Sequence, residues 1–245
     1  MSSDPAKIQT IREAGLDPAR MPVHVAMIMD GNGRWARRRG FLRPQGHRQG
    51  ALTVRMATTE SVRLGIRYLT LYAFSSENWA RPACEVTALM SLLKEFLISE
   101  WSTLESNQVR LRAIGRIDRL PGDVRAVLDQ MMAASAGFQR MDLTLALSYG
   151  GREEIVDACR ALVGRPSESI DEVTIQGALY APDLPDVDVV IRTAGEERMS
   201  NFLPWQTVYA EFVAAPMTWP EFSPQDYHAA LAEFQSRQRR FGRAE

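Results

Sequence analysis

Lysine is almost missing from this chain of 245 residues: Lys7 and Lys94 are the only two, and arginine makes up the rest of its 29 basic side chains. A nucleotide-binding loop of the G-x-x-x-x-G-K-[ST] type therefore has no candidate. Cysteine is equally scarce. Cys84 and Cys159 cannot build a disulfide framework, and neither has the Cys or His neighbours of a zinc site, which predicts a cytoplasmic, reducing environment. Long apolar runs are absent, so no segment reaches the roughly 20 residues that a membrane span requires. Residues 1–20 are polar, carry Asp4, Glu13 and Asp17, and lack the apolar stretch of a secretory leader. A net charge of −1 excludes a surface built as a whole to coat nucleic acid or anionic lipid, although local basic clusters remain compatible with it. Neither H-E-x-x-H nor G-x-S-x-G occurs. What is present is 45% hydrophobic and 24% charged, an ordinary globular composition. Its cations are mostly guanidinium, a group that stays ionised and grips phosphate through paired donors.

Apolar runs of strand length alternate with helix-period segments. Strands are predicted at 23–29, 68–74, 109–114, 141–147 and 187–191, with a short sixth at 210–214. Helices are predicted at 46–64, 85–104, 123–136, 152–162 and 224–240. This alternation implies an α/β protein with a central, mostly parallel sheet of about six strands and helices on both faces. No repeat, low-complexity tract or linker divides the chain, and the loop at 164–171 is too short to separate domains. We expect a polar segment at 1–20 and a single domain over 21–245. Ligands of such sheets sit beyond the carboxyl ends of the strands, so the residues that follow each strand matter most.

After the first strand come Asp30, Gly31, Asn32, Gly33, Arg34, Trp35 and Ala36, then Arg37, Arg38, Arg39, Arg43, His47 and Arg48. Two glycines let the backbone turn tightly and present N–H groups at a helix start, which makes a phosphate cradle. The same residues fit G-x-G-x-x-A, the dinucleotide-binding turn, but that turn needs an acidic residue about 20 positions on. The corresponding stretch, 51–55, lies within a helical pattern, and the first downstream carboxylate is Glu60. Asp30 has two readings: a Mg²⁺ ligand between protein and phosphate, or a cap on the following helix. The stretch 34–48 also admits a third class of function, a nucleic-acid-binding module without catalysis.

The second strand runs into Ser75, Ser76, Glu77, Asn78, Trp79, Ala80, Arg81 and Pro82, polar donors beside a flat ring; a capped turn with Trp79 in the core explains them as well. The 187–191 strand is followed by Arg192, Thr193, Ala194, Gly195, Glu196, Glu197, Arg198, Met199 and Ser200, a second arginine-rich anion site. Two such loops at one sheet edge suggest two phosphorylated substrates. Glu211, at the start of the sixth strand, offers a further carboxylate for a metal. Of the three histidines, His24 reads as a core residue and His47, after the basic cluster, as a functional one. The helix predicted at 85–104 is apolar over a wide arc, at positions such as Leu89, Leu93 and Phe96, which suits a core helix or the lining of an apolar channel.

The runs HVAMIMDGNGRWA, GHRQG, LTLYAFSSENWARP, YGGREEIVDA and DVVIRTAGEERMSNFLPWQTVYAE, spread over about residues 24–222, resemble those of the cis-prenyltransferases, the Z-polyprenyl diphosphate synthases, most closely the bacterial undecaprenyl type. The D-D-x-x-D run of the other large class of prenyl-transferring enzymes is absent. The resemblance implies a homodimeric, Mg²⁺-dependent transferase with a hydrophobic tunnel. Such an enzyme adds isopentenyl diphosphate repeatedly to an allylic diphosphate such as farnesyl diphosphate, forming cis double bonds, and supplies a lipid carrier for peptidoglycan. By matching positions it implies that Asp30 handles Mg²⁺ and diphosphate and that Glu211 binds metal. It also implies an allylic diphosphate site at Gly31, Asn32, Gly33, Arg34, Trp35, Arg43 and His47, and a loop ordering both substrates at Ser75, Ser76, Glu77, Asn78, Trp79 and Arg81. Arg192, Arg198, Met199 and Ser200 match the isopentenyl diphosphate site, and Arg239 and Arg240 a tail that reaches the neighbouring subunit. No nucleic acid is expected as a partner, and membrane contact is limited to the periphery, through the lipid product. Three positions depart from the family pattern: Ser148 stands where asparagine is usual, Ala194 where glycine is usual, and Pro204 where an aliphatic residue is usual.

Overall fold

The computed structural model describes residues 4–237. In chain order its elements are α1 (Pro5–Glu13), β1 (His24–Ile28), α2 (Asn32–Arg38), α3 (Arg43–Leu64), β2 (Tyr68–Ser75), α4 (Ala83–Ser99), α5 (Trp101–Ser106), β3 (Val109–Ile114), α6 (Gly122–Ser135), β4 (Met141–Tyr149), α7 (Gly151–Ala161), α8 (Glu172–Gln176), β5 (Val189–Arg192), β6 (Glu211–Ala214) and α9 (Pro224–Ser236). The strands form one six-stranded sheet in the order β3-β4-β2-β1-β5-β6, and every pairing is parallel. All six predicted strands are present.

A parallel sheet covered on both faces needs strands that are apolar throughout rather than alternating, and β1 and β4 are buried along their whole lengths. Successive residues still feed opposite layers. Val25 and Met27 enter a large core shared with α3, α4, α6 and α9, while Ala26 and Ile28 enter a smaller one completed by Leu184, Phe202 and Leu203. His24 is a core residue, as expected: its ring nitrogens lie 2.8 Å from the Pro185 carbonyl and 2.8 Å from the Thr70 hydroxyl. Burial holds its pKa below the ordinary histidine value.

The element boundaries differ from expectation where side chains intervene. The helix predicted at 85–104 is two helices, broken at Glu100. That carboxylate turns into the interior and accepts hydrogen bonds from Arg55 Nε at 2.9 and 2.8 Å. The polar N-terminal segment contains α1, capped by Asp4, whose carboxylate accepts from Ala6 N at 3.0 Å. Ile11 and Leu16 belong to the large core, so this segment, as far as it is described, shares the hydrophobic core of the sheet. The helix predicted at 224–240 ends at Ser236; Arg239 and Arg240 lie outside the described residues. Among the described residues no helix is long and apolar enough to cross a membrane.

Candidate active site

The carboxyl ends of β1, β2 and β5 open onto one cleft, because these strands are neighbours and their register sets Ile28 level with Tyr72 and Arg192. Asp30 sits just past β1 with its backbone fixed. Its N–H donates to the Thr193 hydroxyl at 2.9 Å, that hydroxyl donates back to the Asp30 carbonyl at 2.7 Å, and Trp219 N–H donates to the same carbonyl at 2.8 Å. The carboxylate faces the cleft, accepting from Gly31 N–H at 2.6 Å and from Arg192 Nη2 at 2.8 Å, with Arg34 Nη2 at 3.6 Å. Burial by itself would raise the Asp30 pKa, but the hydrogen bonds from Arg192 and Gly31 and the charges of Arg192 and Arg34 outweigh it and hold the carboxyl below its ordinary value. Gly31 has φ +99°, and a Cβ there would lie 2.7 Å from Thr218 Cβ, so only glycine fits the turn.

The arginines expected from the two loops are gathered here, each held by a carboxylate. Arg192 ends β5, buried, with Nη1 donating to Ser200 Oγ at 2.7 Å and to the Arg198 carbonyl. Arg34 pairs with Glu196 at 2.9 Å, and Glu196 also pairs with Arg198, so this one side chain joins the first loop to the second. Across the cleft, Glu85 lies 3.5 Å from Arg43 and 3.1 Å from Arg81. Some polar capacity is unused: Arg192 Nε and Asn32 Oδ1 are buried and have no hydrogen-bond partner among the described residues. Asn32 is oriented by donating from Nδ2 to the Met29 carbonyl at 3.1 Å.

Beneath this polar rim lies a cavity of about 180 Å³. Asn32, His47, Asn78 and Arg81 line its mouth, and Leu71, Leu89, Leu93, Phe96, Leu145 and Leu147 its apolar depth. Helix α4 serves both readings: Leu89, Leu93 and Phe96 line this cavity, while Leu97 is buried in the large core. His47 is pushed down to about 4, first by burial and then by the positive charges of Arg81 and Arg43 against the opposing pull of Glu85, so at neutral pH it is an uncharged hydrogen-bonding group.

The turn after β2 closes one side. Asn78 Oδ1 accepts from Ser75 N–H at 3.3 Å, and Trp79 stacks its edge against Phe74 with centroids 4.9 Å apart. Glu77 accepts from Asn201 Nδ2 at 3.1 Å and so ties this turn to the loop after β5, beside Met199 and Ser200. Trp35 packs on Phe41 at 5.9 Å and under Arg39 at 4.5 Å. Gly33 lies directly beside the Arg43 guanidinium.

One expected juxtaposition is not made. Glu211 opens β6 level with Val189, so it lies at the amino end of the sheet, about 10 Å of strand away from the level of Arg192, and pairs with Arg237 at 2.9 Å. Within one subunit Glu211 and Asp30 do not share a site. The described residues contain no group of three or more His, Cys, Asp or Glu side chains that could hold a metal. The dinucleotide reading also loses its support, since β2 ends in Ser75 rather than in a carboxylate. Two site residues escaped the sequence reading: Glu85 and Trp219, whose indole N–H donates to the Gly50 carbonyl at 2.9 Å while its ring lines the cavity. Glu85 was legible as the i+4 partner of Arg81; Trp219 carried no local signal.

The family model of undecaprenyl diphosphate synthases matches residues 28–242. The isoprenyl transferase of Geobacter sulfurreducens is 46% identical over 235 residues, covering 94% of this chain and 96% of that protein. That of Heliobacterium mobile is 47% identical over 233 residues, covering 93% and 90%. Among solved structures, lavandulyl diphosphate synthase from Lavandula x intermedia, in complex with dimethylallyl diphosphate, superposes with a TM-score of 0.89 at 35% identity, covering 92% of this chain and 100% of that one. A probable undecaprenyl diphosphate synthase from Campylobacter jejuni gives 0.77 at 32% identity, covering 91% and 99%. Likeness of this extent, in sequence along almost the whole chain and in the fold that builds the cleft, is kinship: the chain belongs to the undecaprenyl diphosphate synthase family of isoprenyl transferases.

Proposed function

We propose that the protein is a cis-prenyltransferase that condenses isopentenyl diphosphate sequentially onto an allylic diphosphate, farnesyl diphosphate by preference. The product is a long-chain Z-polyprenyl diphosphate of the undecaprenyl class, used as a cell-wall lipid carrier. One observation carries this reading: two arginine-bearing loops meet through the Asp30–Arg192 hydrogen bond, and Asn32, two residues on from Asp30, lines a largely apolar cavity together with Arg81. Two diphosphates at one rim, and a hydrocarbon chain below it, use every element of that arrangement. The likeness to a structure holding dimethylallyl diphosphate supports an allylic diphosphate as one substrate.

In this reading the N–H groups at the start of α2, with Arg34, Arg43 and neutral His47, bind the allylic diphosphate, and Arg192, Arg198 and Ser200 bind isopentenyl diphosphate. Displacement of Glu196 and Glu85 by phosphate oxygens frees four arginines at once. Asp30 suits Mg²⁺, an ion that takes one or two carboxylates together with substrate phosphates, and Mg²⁺ bound there supplies charge neutralisation of the leaving diphosphate. The guanidinium groups stabilise the charge that grows on that leaving group as the allylic C–O bond loosens. Asn78, a neutral amide, orients the isopentenyl group, and a diphosphate oxygen takes the proton lost on forming the new double bond. Met199, Trp35, Trp79 and the Ser75–Glu77 turn position the two substrates.

We take the enzyme to be a cytoplasmic homodimer that meets the membrane only peripherally. Exposed Val208 and Tyr209, next to the edge strand β6, support a covered face there. Incubation of the purified protein with labelled isopentenyl diphosphate, Mg²⁺ and starters of several lengths, followed by sizing of the products, tests the whole reading. Long Z-polyprenyl products from farnesyl diphosphate are expected. Release of a single-condensation product would replace the undecaprenyl assignment, and absence of incorporation with any starter would end the prenyl-transfer reading. Sedimentation at micromolar concentration checks the dimer.

A further inference from the structure

Ser148 interrupts the ladder between β2 and β4. The strands pair in register from Tyr68–Asp142 to Tyr72–Ala146. Then Ala73 is extra on β2 and Ser148 is extra on β4, so that Phe74 faces Leu147 and Ser75 faces Tyr149. Ser148 takes φ +49°, the left-handed region that a side chain disfavours. Turned this way, its hydroxyl is buried and accepts a 2.9 Å hydrogen bond from the Trp79 indole N–H. Its carbonyl accepts from Arg116 N–H at 3.3 Å, fixing the bulge to the end of β3.

The rest of what holds Trp79 is packing. Phe74 touches the ring edge-on, the Arg119 guanidinium lies 5.2 Å from its centre, and the partly buried ring packs against the large core. On its outer side the ring borders an open groove between α4 and α6, lined by Val86, Met90, Pro121 and Val124. Among the described residues, Ser148 is the hydrogen-bond partner of the indole N–H. The turn that carries Trp79 also carries Asn78 and Arg81, both at the mouth of the cavity.

We propose that Ser148 is a positioning residue for the condensation: its hydroxyl latches the Trp79 indole and thereby holds the 75–81 turn, with Asn78 and Arg81, against the cavity. It acts through Trp79 and not on the substrates. Backbone strain that persists next to a reactive cleft, with the strained residue's side chain aimed at a substrate-ordering turn, is what such a role requires. The inference rests on the prenyl-transfer reading of this cleft and deepens it.

The test combines hydrogen exchange of residues 75–81 in the substrate-free protein with steady-state kinetics, on wild type, Ser148→Ala, Ser148→Asn, Trp79→Phe and the Ser148→Ala/Trp79→Phe pair. Loss of one hydrogen bond predicts about three- to tenfold faster exchange of the turn and a similar rise in KM for isopentenyl diphosphate in Ser148→Ala, with kcat changed less than about twofold. Ser148→Asn restores both, because asparagine tolerates the left-handed backbone and offers a carbonyl oxygen to the indole. In the Trp79→Phe background Ser148→Ala adds nothing further. Unchanged exchange and KM in Ser148→Ala, or an equal KM rise when Trp79 is already phenylalanine, overturns the latch. Should wild type incorporate no isopentenyl diphosphate, the prenyl-transfer reading fails, while the exchange of the turn still decides whether Ser148 holds it.

Discussion

Two arginine–carboxylate networks occupy opposite ends of the same sheet. At the amino end, Asp142 at the start of β4 is buried and accepts hydrogen bonds from Arg110 Nε at 3.1 Å and Arg112 Nη1 at 3.2 Å, while Arg112 also reaches Asp183 at 2.7 Å. At the carboxyl end, Asp30, Arg192, Arg34, Glu196 and Arg198 form a chain of much the same composition. Their surroundings separate them. The amino-end pairs lie beside filled core, whereas the carboxyl-end chain stands next to a cavity lined by Asn32, His47 and Arg81 and, among the described residues, includes a buried guanidinium N–H without a partner. A network that still has donors to give, at the edge of a space that can receive a ligand, is arranged for binding. One whose groups already satisfy each other fastens strands together.

The sharpest way to break this comparison is to neutralise the two aspartates alike. Asp30→Asn, which keeps an oxygen facing Arg192, is expected to lower turnover about 10³-fold at saturating Mg²⁺, and also to lower the thermal midpoint because the buried Arg192 loses its counter-charge. Near-normal turnover in a labelled-substrate assay would remove Asp30 from the chemistry. The next effect is on pH. His47 has a folded pKa of about 4 against an ordinary 6.5, so between these values the unfolded chain holds a proton that the folded one does not. Stability therefore falls as pH drops from 6.5 towards 4, by up to about 3 kcal/mol, and His47→Gln removes that slope. Denaturant titrations of both proteins at pH 7 and pH 4.5 check it; parallel losses would place His47 in a more exposed and ordinary environment.

Asp142→Asn is expected to lower stability and leave turnover alone. Its two arginine partners are partly exposed and stay hydrated, so the loss is about 2 kcal/mol, read as a thermal midpoint lower by roughly 4–8 °C with kcat unchanged. A fall in kcat there would mean that the two ends are coupled. The smallest effect belongs to Ala194, which stands at φ +73° in the loop between Arg192 and Arg198. Ala194→Gly relieves the left-handed strain of a residue with a Cβ and, after the entropy that glycine adds to the unfolded chain, leaves a gain of about 0.5–1 kcal/mol. A loss on calorimetry would show that another contact of the Ala194 methyl outweighs the strain.

The strands were legible because a parallel sheet with two covered faces demands unbroken apolar runs, and runs such as VHVAMIM and MDLTLAL have few other uses. Their ends were less so, since β2 and β4 continue past the apolar run into Ser75 and Tyr149 through a bulge that composition does not announce. The first arginine site was readable from Asp30, Gly31, Gly33 and Arg34 as a local pattern. The carboxylates that hold those arginines apart were not: Glu196 meets Arg34 across 162 residues, and neither position carries a sign of the other. The place of Glu211, at the amino end of β6, was hidden for the same reason, since being near a strand says nothing about which end of it faces the cleft.

By itself, then, the order of residues determined the element types, the glycine turn that only glycine can make, and the concentration of guanidinium groups after two strands, because these follow from local sterics and side-chain chemistry. Only the tertiary structure decided which arginines confront which carboxylates, that α4 turns Leu89, Leu93 and Phe96 to a cavity while burying Leu97 in the core, and that Ser148 faces Trp79. Those outcomes depend on sheet order, strand register and a bulge of one residue, which are set by packing between segments far apart in the chain and leave no trace in any one of them.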